Sequence, residues 1–510
     1  MISSKQTDKP KTSESEDVVF TDTNLKGDWS NVFLLILMYT MQGLCIGVCS
    51  SIPILLKSRK DGTYFEQAIY SITSYPYFLK LFWAPLVDSY YIHKFGRRKT
   101  WLVSTQFLIG IVLLYAGRNI DTFLPEKEKP NITALVIIFF SIVFLSATQD
   151  IAVDGWALTM LKKNNVGYAS TCNTTGLAFG IIIGNVLTIL LTSSEFCNKY
   201  IRFAPSAEGI ISLNNSLYGV GITIILLTIF IAIFKKEKDN TLDDDFMELN
   251  IIQSYSLLWN VLKIRNVKIL AIALLTVKIG FAATDSLSSF KLMDAGISKD
   301  DISIIHSVVP GIHMIIPLIV AKYTSGPKVI SVYLRVIPYR LLLNLAFILF
   351  VYVTKKIVKN NGVIEIPVYY YVLLAILTLL QQVLMYIMFI AILSFFSRIS
   401  DPRFGGIYMT LLNTLSNLGG MLSNTAALGL FDLLTFKHCS VENSNINPTN
   451  EDCTIIVDGY YVEEVLCTII GIIWISIFRK KFKSFQTLSP SHWSVHRKSP
   501  VIADDKEDAL

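Results

Sequence analysis

Runs of about 20 apolar residues recur from end to end of this chain, each long enough to cross a hydrocarbon layer about 30 Å thick. Hydropathy marks twelve of them, near 29–56, 66–87, 101–120, 132–160, 168–193, 213–234, 265–288, 303–323, 330–353, 367–397, 407–432 and 460–478. Inside lipid every backbone amide must be bonded within the protein, so such runs have to be helices. Composition agrees: 52% of the 510 residues are hydrophobic and 16% charged, against about 25% charged in a soluble domain. This excludes an ordinary soluble enzyme and a disordered chain. A formal net charge of +6 does not suit a nucleic-acid binder. The seven Cys lack CxxC or zinc-finger spacing, so no metal site is expected. Without a Walker A or GxGxxG phosphate loop, no nucleotide-driven pump and no cofactor is implied.

The expected fold class is therefore all-α, a polytopic membrane protein of about twelve transmembrane helices. The longest polar interruption in mid-chain, 235–262, runs from Lys235, Lys236 and Lys238 to Asp243, Asp244 and Asp245. It divides the spans into two sets of six, the arrangement of a transporter built from two halves. The expected organisation is a disordered cytosolic tail at 1–28, a six-helix half at 29–234, a cytosolic central loop at 235–264, a second six-helix half at 265–478 and a cytosolic tail at 479–510. The polar first 28 residues do not read as a cleavable signal peptide.

With both termini cytosolic, Lys94, Arg97, Arg98 and Lys99 fall in the 2–3 loop and Lys162 and Lys163 in the 4–5 loop. Arg479, Lys480, Lys481 and Lys483 then fall in the tail, as positive-inside requires. The bias is modest, because Lys57, Arg59, Lys60, Lys355, Lys356 and Lys359 lie on the other side. Asn131-Ile132-Thr133 is a glycosylation sequon in the 3–4 loop, and Cys439 and Cys453 share the 11–12 loop and could form a disulfide. Both features belong on an oxidising side of the membrane.

Several charged or polar residues fall inside apolar spans. Asp150 and Asp154 are four apart on span four and share one helix face. A carboxylate in mid-bilayer costs about 2.5–3.5 kcal/mol on insertion scales, so it must face the bundle and find a partner or a proton. Asp154 is expected to pair with Arg97 or Arg98 in a structural bridge; Asp150 is open between pairing and coupling. Lys80 in span two, Lys278 in span seven and Arg340 in span nine suit an anionic cargo, since Lys and Arg bind phosphate. They equally suit pairing with Asp150 or with Asp285, seven residues beyond Lys278. His306 and His313 share a face of span eight; either could act as an acyl-transfer base or as a packing residue. Gly176, Gly180 and Gly184 on span five invite close approach of another helix. On span eleven Asn413, Ser416, Asn417, Gly420 and Asn424 form a polar stripe that would line a cavity or bond a neighbour.

Asp88 closes span two, and Gly96-Arg97-Arg98-Lys99 precedes span three. This resembles the 2–3 loop signature of the major facilitator superfamily, whose cations reach acidic groups at helix ends. A narrower resemblance is carried by Leu79-Lys80-Leu81-Phe82-Trp83-Ala84-Pro85-Leu86-Val87-Asp88, by Gln149-Asp150-Ile151-Ala152-Val153-Asp154-Gly155-Trp156, by Pro338-Tyr339-Arg340, by Tyr408-Met409-Thr410-Leu411-Leu412-Asn413-Thr414 and by Asp458-Gly459-Tyr460-Tyr461-Val462-Glu463. From about Gly27 to Trp493 the chain is similar to the acetyl-coenzyme A transporter family of the endoplasmic reticulum membrane. It departs in its polar N-terminal tail, in a shorter 11–12 loop, and at Arg403 and Phe404.

The resemblance implies a multi-pass protein of the endoplasmic reticulum membrane that is not an enzyme. It implies import of acetyl-CoA from cytosol to lumen in exchange for CoA, supplying lumenal acetylation. Its expected partners are acetyl-CoA, CoA and the lipid bilayer, with no nucleic acid; a homodimer is left open. On this reading Lys80, Lys278 and Arg340 attract the phosphates, and Tyr408, Asn413 and Asn417 contact the rest of the ligand. Asp88, Arg97, Arg98, Asp150, Asp154 and Asp285 gate or couple. The competing expectations are a facilitator for another organic anion (a muropeptide, nucleotide or glutathione species) and a membrane acetyltransferase using His313 or His306.

Overall fold

A computed structural model describes residues 24–57, 69–125, 129–237, 250–297, 301–302, 305, 309–326, 328–361, 367–401, 405–439 and 453–494. The expected tail before residue 24, Asp243, Asp244, Asp245, His306, Arg403 and Phe404 lie outside them. Among the described residues, nine helices are long and apolar enough to cross a membrane. Among the described residues, every expected span coincides with helical chain. The N-terminal half holds α1 (Trp29–Lys57), a second span built of short pieces, α4 (Arg97–Phe123), α5 (Ile132–Met160), α6 (Tyr168–Asn185), the short α7 (Ser194–Tyr200) and α8 (Leu213–Phe234).

The second span is not one helix. A 3-10 turn at Ser71–Ser74, α2 (Tyr75–Leu79), a 3-10 turn at Lys80–Phe82 and α3 (Ala84–Ser89) follow one another. Pro76 and Pro85 each sit in the first turn of a short helix, where the missing N–H costs nothing but an earlier helix cannot continue through. Lys80 thus stands at a break.

After α8 the polar interruption contains α9 (Ile251–Lys263), a helix within the expected central loop. Asn250 and Gln253 close a capping box at its start. The second half comprises α10 (Arg265–Val277), a 3-10 turn at Lys278–Phe281, α11 (Ala282–Asp294), α12 (Val309–Thr324), α13 (Val329–Asn361), α14 (Val368–Ile399), α15 (Gly405–Leu434) and α16 (Gly459–Phe485). The stripe of asparagines keeps α15 less apolar than these nine helices, although it is 30 residues long.

Gly176, Gly180 and Gly184 do pack a helix closely: α1, through its own Gly43 and Gly47. A Cβ on Gly180 would overlap the backbone of Thr40, Gly43 and Leu44. The chain after 478 is not simply a tail. Arg479, Lys480, Lys481 and Lys483 are exposed, whereas Phe482, Phe485 and Trp493 are buried and hold α16 and a 3-10 turn at Pro490–Trp493 on the bundle. Between α15 and α16, β1 (Phe436–Cys439) pairs antiparallel with β2 (Cys453–Val457), and the register sets residues 439 and 453 directly opposite each other. At the start of α5, Asn131 accepts the Ala134 N–H at 3.1 Å as helix cap.

Successive spans alternate in direction. One end of the bundle, here the termini end, carries both described chain ends and the α3–α4 turn; the far end carries Asn131, the β-hairpin and the start of α16.

Candidate functional site

The carboxylates of α5 are where the two halves meet. Asp150, 6% exposed, forms an ion pair with Lys80, which is 4% exposed. The Gln42 amide of α1 donates to Asp150 at 2.8 Å and to the Tyr77 hydroxyl at 3.0 Å. A buried pair survives only where further hydrogen bonds satisfy its remaining lone pairs, and Gln42 supplies one. One helical turn on, Asp154 does not meet Arg97 or Arg98 as expected. It accepts the Tyr39 hydroxyl at 2.7 Å and the Asn413 amide at 3.3 Å. Asn413 lies on α15, so Asp154 holds the two halves together. Its expected partners are engaged elsewhere, because the turn at Gly96 (φ +100°) starts α4 beside α3.

There Asp88 forms an ion pair with Arg98, has Arg97 at 3.7 Å, and accepts the Ile407 N–H at 2.9 Å. Ile407 is in the first turn of α15, where unpaired N–H groups and the helix dipole attract an anion. Asp88 therefore binds two cations in its own half and a helix N-terminus in the other. Glu237 does the corresponding work for α4, accepting the N–H groups of Arg98 and Lys99, each at 3.0 Å. The sequence reading missed Glu237; its signal is an acidic residue within a Lys-rich run just after a span. At the same end Ser89 and Ser254 lie 2.6 Å apart, and Tyr255 donates to the Phe82 carbonyl, which ties α9 under the first half.

In the second half Asp285 of α11 accepts Arg340 at 2.5 Å and Gln381 at 2.8 Å. The guanidinium also lies 4.3 Å from the Phe281 ring centroid. Lys278, half-buried in the 3-10 turn, differs from both other cations. Among the described residues it has no carboxylate at ion-pair distance and no hydrogen-bond partner. Its ammonium lies against α15, where a Cβ on Gly420 would stand 2.9 Å from Nζ. Asn417, exposed, is one turn from Gly420 on the same helix. Beside Asp285 a polar cleft is lined by Thr284, Ser288, Thr378, Gln381 and Gln382.

The remaining sequence-derived positions are spent differently. Tyr408 is 2% exposed and its hydroxyl donates to the Trp493 carbonyl at 2.8 Å, so it is a strut of the termini end rather than a ligand contact. His313 stacks on Tyr386 with ring centroids 4.1 Å apart. Tyr386 in turn donates to the Thr174 carbonyl of α6 at 3.5 Å. His313 is thus a packing residue beside the junction of the halves. Among the described residues no cluster of three His, Cys, Asp or Glu could hold a metal.

A bundle of two sets of helices either side of an intervening segment, with buried charges between them, is the architecture of a major facilitator superfamily transporter. The fold comparison agrees: FucP of that superfamily, crystallised in the outward conformation, aligns with a TM-score of 0.54 at 13% identity, over 88% of this chain and 98% of that one. A bacterial homologue of the iron transporter ferroportin, outward-facing, aligns with a TM-score of 0.50 at 14% identity, over 87% of this chain and 99% of that one. The family model described as acetyl-coenzyme A transporter 1 matches residues 31–250 and 239–495, and the chain belongs to that family. An uncharacterized protein of Schizosaccharomyces pombe is 32% identical over 92% of this chain and 89% of its own length. An uncharacterized membrane protein of Saccharomyces cerevisiae is 30% identical over 92% of this chain and 98% of its own length. The anhydromuropeptide permease of Escherichia coli K12 is 28% identical over 29% of this chain and 30% of its own length. The protein is accordingly a multi-pass membrane transporter and not an enzyme.

Proposed function

We propose that the protein moves acetyl-CoA from cytosol to the lumen of the endoplasmic reticulum in exchange for CoA, by alternating access of its two halves. The observation that carries the reading is Lys278, a cation without a carboxylate partner among the described residues, set between α10–α11 and the polar stripe of α15. Lys80 is neutralised by Asp150 and Arg340 by Asp285, so of these three cations Lys278 is the one left without a carboxylate of its own. A CoA thioester carries about four negative charges near pH 7, because a phosphomonoester has a second pKa near 6. Lys278 meets its phosphates first; Lys80 and Arg340 join as their carboxylates give way, and Asn413 and Asn417 contact the remainder. Tyr408 is left out of this set.

Exchange follows from charge. Each charge moved through 100 mV costs about 2.3 kcal/mol, hence about 9 kcal/mol for four. Swapping acetyl-CoA for CoA, equal in charge, removes that term. Asp88 on the α15 N-terminus and Asp154 on Asn413 close the termini end, here assigned to the cytosol. The cleft beside Asp285 then belongs to the lumenal pathway.

Counterflow of labelled acetyl-CoA into proteoliposomes loaded with CoA tests this, with Lys80, Lys278 and Arg340 each changed to Gln. Uptake that survives all three changes refutes the phosphate site. The partial likeness to a muropeptide permease supports a second reading, another organic anion as cargo. Competition by an unlabelled anhydromuropeptide stronger than that by CoA would favour it.

A further inference from the structure

One buried acidic group takes no part in the scheme above. Glu464, in the second turn of α16 from the far end, is 0% exposed, and its neighbour Glu463 is 4% exposed with one carboxylate oxygen lacking any hydrogen bond. A carboxylate taken into a membrane interior needs a cation or a proton. Lys80 serves Asp150, Arg340 serves Asp285, and Arg98 serves Asp88, while Asp154 rests on the Tyr39 hydroxyl and the Asn413 amide. Among the described residues no cation lies within ion-pair distance of Glu464. What it has instead are hydroxyls, that of Tyr460 and that of Thr284, whose Oγ1 lies 2.9 Å from both Glu464 oxygens and 2.9 Å from the Asn344 carboxamide oxygen. One hydroxyl hydrogen cannot serve all three acceptors. The Asn344 amide nitrogen is committed to the Gly280 carbonyl at 2.8 Å and lies 3.2 Å from the Thr468 hydroxyl, which fixes Asn344 with its oxygen toward Thr284. The Tyr460 hydroxyl, also hydrogen-bonded to Glu464, can serve the acceptor that Thr284 leaves over, but hydroxyls bring no counter-charge, and only a proton neutralises Glu464 there.

The cluster is also within reach of water. Thr284 and Ser288 line the polar cleft beside Asp285, and Ser288 lies 3.0 Å from the hydroxyl of Tyr460, one turn before Glu464 on α16. Glu464 of α16 is thus one hydroxyl behind the wall of the cleft, the hydroxyl being that of Thr284 on α11, next to Asp285.

We propose that Glu464 is a proton-binding site of the transport cycle, loaded and unloaded from the far-side cleft through Thr284, so that this transporter couples its cargo to protons. The inference rests on the chain being a transporter and goes beyond the exchange reading, which needs no proton. The other titratable or charged groups around Glu464 are Tyr460, Glu463 and Cys467 on its own helix, Asp285 on α11, and Arg340 on α13, which is tied to Asp285. No chemistry beyond binding and release of H⁺ at a Glu464 oxygen is involved.

Two measurements on the full-length protein decide it. In nanodiscs at pH 7, infrared spectroscopy of wild type should show a protonated-carboxyl band that Glu464→Gln removes and Glu463→Gln leaves in place. This readout requires no substrate. In proteoliposomes, an imposed pH gradient should accelerate acetyl-CoA uptake by wild type, while Glu464→Gln keeps counterflow and loses the acceleration. Absence of the band, its persistence in Glu464→Gln, or an undiminished gradient response in that variant overturns the proposal. Wild type that shows the band but no acetyl-CoA counterflow overturns the cargo assignment and leaves the proton site standing. Thr284→Val, which removes the relay hydroxyl at nearly constant volume, should slow the gradient response without abolishing the band.

Discussion

Changing Lys80 and Lys278 to Gln separates a structural cation from a ligand-binding one, because the two differ in what they leave behind. Lys80→Gln strips Asp150 of its only cation among the described residues, leaving the Gln42 amide as support. Breaking one side of a buried pair costs about 3–5 kcal/mol, chiefly the desolvation of the orphaned charge. Lys278→Gln orphans no carboxylate, so its effect on folding should stay within about 0.5 kcal/mol, as for substitutions away from any network. Its effect on an anionic ligand should be large. A hydrogen bond to a charged group contributes about 1.5–3 kcal/mol, or about 10- to 150-fold in affinity. The assay is thermal unfolding in nanodiscs beside the KM for acetyl-CoA counterflow. Lys80→Gln should unfold well below wild type, and Lys80→Gln with Asp150→Asn should recover most of the loss. Lys278→Gln should unfold with wild type and show the raised KM. A stable Lys80→Gln, or a Lys278→Gln with unchanged KM, refutes the division of labour.

Asp88→Asn should weaken the clasp between α3, α4 and α15 and favour the state open at the termini end. A cysteine at Ile407, 1% exposed, should then react faster with an impermeant thiol reagent applied from that side; an unchanged rate counts against the clasp. Burial alone would raise the Asp458 carboxyl, but hydrogen bonds from Lys355 and Lys291, at 2.7 and 3.2 Å, outweigh it and hold the carboxyl below its ordinary range. A depressed carboxyl stabilises the fold above its unfolded pKa and loses that contribution as pH falls through the folded one. The stability difference between wild type and Asp458→Asn should therefore shrink as pH falls below about 4, measured by thermal unfolding; a constant difference contradicts it. Because residues 439 and 453 oppose each other in the hairpin register, we expect a disulfide in protein from an oxidising compartment. Denatured protein should then take up five maleimides before reduction and seven after, since Cys45, Cys49, Cys172, Cys197 and Cys467 are free. Seven before reduction rules the bridge out.

The spans were legible because hydropathy is a local property and lipid leaves a long apolar run no option but helix. Local rules also explain what was read only coarsely. Pro76 and Pro85 announce breaks in the second span, and the stripe of Asn sets α15 apart from the more apolar runs. The pairing of charges was another matter. Asp154 was expected on Arg97 or Arg98, yet those lie on Asp88, and Asp154 reaches Tyr39 and Asn413, 115 and 259 residues away in the chain. Tyr408 sits in a stretch that marks the family, but its hydroxyl is committed to Trp493 in a segment read as tail. Glu464 lies in the second turn of a helix beside Tyr460 and Glu463, where a sequence reads as interfacial.

The sequence by itself determined that this chain lives in a membrane, that it is made of two sets of helices, and which ions those helices must shelter. Only the tertiary structure decided which ion shelters with which. Insertion into lipid is judged span by span, whereas an ion pair depends on two helices meeting at one depth and one rotation. That coincidence left Lys278 unmatched and set Glu464 behind a hydroxyl, and it is in those two places that the transport chemistry is proposed to lie.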